Sequence, residues 1–115
     1  EIKSISSENP FLRDPDDRRA LRHCPREQAA EIAERLRAHR LAATTVQVKV
    51  RYSDFTTLTR QLSVEEPVED AAAIYRFACW LLARHRLVQR PLRLLGLGTS
   101  GLAEVTVRQL QLPFE

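Results

Sequence analysis

The sequence predicts an α+β fold: a four-stranded sheet with two helices on one face, in βαββαβ order. Two patterns carry the prediction. In "TVQVKVRY", Val46, Val48, Val50 and Tyr52 alternate with Gln47, Lys49 and Arg51, the period of a half-buried strand. In two other segments apolar residues recur at three and four: Ala29, Ile32, Ala33 and Leu36, then Ile74, Phe77, Ala78, Leu81 and Leu82. At 115 residues the chain has the size of one domain.

Taken in order, "IKSISSENPF" (2–11) reads as a strand or extended arm ending at Pro10, and "LRDPDDRRALRH" as a charged loop with at most a helical turn. Pro25 suits the first position of a helix, where its missing N–H costs nothing, so the first helix is expected at about 25–40, with Glu31 and Arg35 as an i,i+4 pair. Arg40 stands where a helix-ending glycine is common, which predicts a less sharp end. After "TVQVKVRY", Ser53 and Asp54 supply a tight turn, and "TTLTRQLSV" returns with Leu58, Leu62 and Val64 on one face. "EEPVEDAAAIYRFACWLLARHRLV" is the second helix, with Glu65, Glu66, Glu69 and Asp70 at its positive end and Arg84, His85 and Arg86 at the other. Tyr75 and Trp80 are expected to pack in the core. Pro91 stops the helix, and "LRLLGLGTS" (92–100) is the last strand.

Composition excludes several function classes. No apolar run approaches membrane-spanning length, no secretory signal is visible, and no membrane partner is expected. Cys24 and Cys79 read as reduced thiols, which suits a cytoplasmic setting. "GLGTSG" matches a dinucleotide fingerprint literally, but no helix and distant acid follow it. His23, His39 and His85 lack metal-ligand spacing, with His23 expected in a loop, and no nucleophile–base pair or carboxylate cluster can be placed. The chain reads as non-catalytic and cofactor-free. Its first residue is Glu1, which reads as a piece of a longer protein.

Helices on one face leave the other face of the sheet bare. If the valines lie under the helices, Gln47, Lys49, Arg51, Thr57, Thr59 and Gln61 look outward, together with Leu94, Gly96 and Gly98 of the last strand. Such a face is either solvated or a docking surface. As a docking surface its cations and hydroxyls fit a phosphate backbone, with glycines letting backbone N–H groups approach. It lacks the aromatic side chains that stack single-stranded bases, so duplex is favoured. Arg60 falls on the core side by strict alternation, unless a bulge turns it outward or its head snorkels to an edge.

"KSISSE", "VKVRYSDFTTLTRQ" and "RLLGLGTSGL" resemble the little finger domain of Y-family DNA polymerases, the bacterial DNA polymerase IV type, over residues 2 to about 102. The resemblance implies a domain that holds primer–template duplex DNA, in a parent whose catalytic palm, with its Mg ions, lies elsewhere. The DNA-binding positions it implies are Ser4 and Ser6; Lys49, Arg51, Thr57, Thr59 and Arg60; and Arg93, Gly96 and Gly98. Some relatives carry arginines where Leu94 and Gly98 stand, which implies a weaker grip here.

The final residues, "QLQLPF", resemble the peptide by which bacterial polymerases bind the sliding clamp, with Gln109, Leu110, Leu112 and Phe114 at its key positions. Residues 1–105 are thus expected to form the domain and 106–115 a flexible clamp-binding tail. The alternatives are a tail folded back on the core, and a stand-alone protein-interaction domain that uses its open sheet.

Overall fold

A computed structural model describes residues 1–11 and 18–105. The predicted order holds: β1 (Ser4–Pro10), α1 (Arg18–Ala38), β2 (Leu41–Tyr52), β3 (Thr57–Val68), α2 (Ala71–Arg84) and β4 (Leu92–Glu104). All pairings are antiparallel, in the spatial order β1-β4-β2-β3. α1 lies over β1, β4 and β2, α2 over β2 and β3, and the helices touch each other, so both cover one face.

The core sits between that face and the helices. Val46, Val48 and Val50 are buried there with Ile5, Leu95 and Leu97, against Ile32, Leu36, Ile74 and Leu81. Thr99 belongs to the same side, and its buried hydroxyl donates to the Ile5 carbonyl at 2.9 Å. Tyr52 ends the stripe, its hydroxyl donating to the Leu87 carbonyl at 2.8 Å. Burial pushes its phenol above the ordinary range, and the Arg90 and Arg60 cations partly offset the shift.

Element ends differ from the expectations. α1 begins at Arg18, so Pro25 and His23 lie inside a helix instead of at a boundary or in a loop. Leu21, Cys24 and Gln28 extend the inward stripe by three and four, and burial of that stripe outweighs the N–H that Pro25 lacks. β3 runs on through Glu65 and Glu66, which are strand residues and not the start of α2. As the sheet edge, β3 tolerates Pro67 and exposes both glutamates. α2 starts at Ala71, where the Asp70 carboxylate accepts the Ala73 N–H at 3.0 Å.

α1 ends abruptly despite Arg40. Its φ is +55°, the left-handed conformation glycine would take, and β2 begins at the next residue. Trp80 is not in the core: it is 53% exposed, because the inward stripe of α2 is Ala73, Ile74, Ala78, Leu81 and Leu82. With Phe77, Leu62 and Val64 it lines a shallow apolar groove between α2 and β3. Tyr75 is half-buried, with the Arg26 guanidinium 5.0 Å from its ring centre.

Candidate nucleic-acid interface

The face away from the helices is assembled by register. Ser6, Gly98, Gln47 and Gln61 form one row across the four strands. Glu8, Gly96, Lys49 and Thr59 form the next, and Pro10, Leu94, Arg51 and Thr57 a third. Ser4, opposite Ser100, lies beyond the first row. The predicted Ser4, Ser6, Lys49, Arg51, Thr57, Thr59, Gly96 and Gly98 are therefore brought together. Arg51 Nε donates to Thr57 Oγ1 at 3.0 Å, which aims the guanidinium along the hairpin.

The glycines do something other than expected. β4 is an inner strand: Gly96 is flanked by Glu8 and Lys49, and Gly98 by Ser6 and Gln47. Their backbone groups point sideways into two ladders, so what they offer a ligand is clearance, not free N–H donors.

Arg60 does not join this face. It pairs with buried Val48, the alternation is unbroken there, and Nη1 donates to the Thr59 carbonyl at 2.7 Å. Register shifts lie elsewhere: between Ala43 and Thr45 against β3, and at the start of β4, between Arg51 and Tyr52. Leu92 and Leu95 are both buried although three apart, which leaves Arg93 and Leu94 between them turned from the core. The Arg93 guanidinium lies 4.5 Å from the ring centre of Phe55, an exposed hairpin residue at φ +69°.

Two residues here, Arg90 and Glu8, were not anticipated. Arg90 lies over the Tyr52 ring at 4.1 Å, and its Nη2 donates to Asp54 Oδ2 at 3.0 Å. The Thr56 N–H first, and Arg90 after it, hold the Asp54 carboxyl below the usual range. Arg51, Arg90 and Arg93 make this end of the sheet cationic. Glu8 is the second: its Oε2 lies 3.0 Å from Lys49 Nζ in the middle of the face. Its spacing from Ser4 and Ser6 was the available signal, since residues two and four apart share a face. Ser6, Glu8, Gln47, Lys49, Gly96 and Gly98 surround a depression of about 150 Å³.

Among the described residues no group of His, Cys, Asp or Glu side chains is placed to hold a metal ion. No described helix is long and apolar enough to cross a membrane. The described cysteines are free, Cys24 buried and Cys79 half-buried. Gln109, Leu110, Leu112 and Phe114 lie outside the described residues.

Residues 2–112 match the impB/mucB/samB family C-terminal domain. DNA polymerase IV of Halorhodospira halophila is 40% identical over 100 residues, covering 87% of this chain and 28% of that protein. DNA polymerase IV of Listeria monocytogenes is 36% identical over 110 residues, covering 96% of this chain and 31% of that protein. The chain therefore spans less than a third of the length of these relatives.

Among solved structures, a complex of the β-clamp processivity factor and the little finger domain of PolIV superimposes with a TM-score of 0.67 at 22% identity, over 96% of this chain and 98% of that one. A Dbh ternary complex gives a TM-score of 0.70 at 13% identity, over 84% of this chain and 28% of that one. The fold is that of the polymerase IV little finger, and the chain belongs to the impB/mucB/samB family of C-terminal domains.

Proposed function

We propose that this domain grips primer–template duplex DNA through its phosphate backbone, as the non-catalytic part of a Y-family translesion polymerase that works in the cytoplasm with Mg ions held elsewhere. One observation carries the reading: Lys49, Arg51, Thr57, Thr59, Ser4 and Ser6 share the face that the helices leave open. Cations supply attraction to phosphate, hydroxyls supply hydrogen bonds, and the two glycines lower the floor between strands. Few side chains there can fork onto base edges, which matches a grip indifferent to sequence.

The same proposal assigns Gln109, Leu110, Leu112 and Phe114 to a sliding-clamp groove. A leucine or phenylalanine fully buried there contributes about 1.5–3 kcal/mol before ordering costs. The likeness to a little finger domain solved with a clamp supports this reading.

Titrating the chain with duplex DNA at several salt concentrations tests the first part. Binding should weaken with a log–log slope of about −0.9 per phosphate neutralised, and Lys49→Ala/Arg51→Ala should reduce both affinity and slope. A flat salt response would favour a protein-interaction domain instead. For the second part, Leu112→Ala/Phe114→Ala should abolish binding to a bacterial clamp, and equal binding by both forms would remove the tail's role.

A further inference from the structure

We propose that Glu8 is a built-in competitor for phosphate: its carboxylate occupies Lys49 and has to be displaced before Lys49 can reach DNA. This rests on the DNA-binding reading above. Glu8 Oε2 accepts from Lys49 Nζ at 3.0 Å, the position an incoming phosphate oxygen would take. The two residues are not direct neighbours; they flank Gly96 on adjacent strands.

Gly96 makes the reach possible. A Cβ there would lie 3.1 Å from Glu8 Cγ and 3.5 Å from Oε2, so the Glu8 chain crosses the bare backbone of Gly96. That explains why Gly96 is buried although it faces the open side. The glycine makes room for the carboxylate, and offers a ligand clearance only once Glu8 has left.

The pair is built to be exchanged. Its side chains are 30% exposed at Lys49 and 46% at Glu8, so solvent screens the attraction and the contact is weak. Glu8 is the one carboxylate in the three rows described above, and it sits in the central one. At the outer row Arg51 meets a hydroxyl, not an acid, and stays free for phosphate. The face thus holds one cation back and offers another. DNA that engages it gains Lys49 only after ejecting Glu8, which weakens the grip at one point and eases movement of the duplex past the sheet.

The test uses the full chain, a fluorescently labelled duplex, and the wild type, Glu8→Gln, Lys49→Gln and the double variant across a salt series. Glu8→Gln should bind about two- to fivefold more tightly at low salt, with the gain shrinking as salt screens the pair. In the Lys49→Gln background the same change should gain less than about twofold, because no ion pair remains to be broken. Unchanged affinity and slope in Glu8→Gln would overturn the proposal and leave DNA binding intact. Equal gains in both backgrounds would also overturn it, reducing Glu8 to a generally repelling charge. If none of the four proteins shows salt-dependent binding, the DNA reading fails and the proposal with it.

Discussion

Replacing Gln28 by alanine should loosen the edge of the candidate DNA face from the far side of the sheet. Gln28 is 1% exposed on α1. Its Nε2 donates to Asn9 Oδ1 at 2.9 Å and to the Leu95 carbonyl at 2.8 Å, which ties α1 to both β1 and β4. Among the described residues β1 pairs only with β4, so this amide is one of its few cross-layer anchors, with Arg35 Nη1 on the Ser6 carbonyl at 2.9 Å as another. Each lost hydrogen bond costs about 1 kcal/mol, the lost buried methylene about 0.8, and the void adds to this. Oε1 is buried without a partner among the described residues, and its removal offsets about 1 kcal/mol. The net destabilisation is about 2–3 kcal/mol, or roughly 8–12 °C in melting temperature. Urea unfolding gives the first number. Amide exchange gives the location: β1 and its β4 partners should open sooner than the β2–β3 ladder. A loss below about 0.5 kcal/mol, or equal acceleration in all strands, would refute the anchoring role.

Two further outcomes follow from the geometry. Asp70→Ala removes the acceptor for the Ala73 N–H and should cost about 1 kcal/mol in a urea melt, while Asp70→Asn should restore most of it. Burial, with nearby Glu27 adding to it, pushes the Cys24 thiol up to about 11. The folded chain keeps that proton at a pH where the unfolded chain releases it, so the thiol's contribution to stability is complete below the unfolded value and is lost as pH rises through about 11. Stability measured by urea midpoint should fall from about pH 8.5 upward, and Cys24→Ala should flatten that slope.

Much of the architecture was legible from residues alone. Alternation in "TVQVKVRY" assigned Val46, Val48 and Val50 to the core and Lys49 and Arg51 to the other face, because side chains on a strand point to opposite sides at every step. The helical stripes named their buried residues for a similar geometric reason, since positions three and four apart stack on one face; Phe77 is the exception, only partly buried beside the groove between α2 and β3. Thr57 and Thr59 were placed by the same parity, whereas Ser4 and Ser6 came from the family resemblance.

Tertiary structure decided what depends on neighbours far along the chain. α1 reaches back to Arg18 because Leu21, Cys24 and Gln28 find the core formed by α2 and the sheet to pack on, a gain that local propensity around Pro25 does not contain. Trp80 stays outside because the space above β2 is filled by Ile74, Ala78 and Leu81. The strand order β1-β4-β2-β3 put Glu8 one glycine away from Lys49, although 41 positions separate them in sequence. Periodicity is a local property and shows which way a side chain points; which charge it meets there is set by strand pairing, which only the folded chain determines.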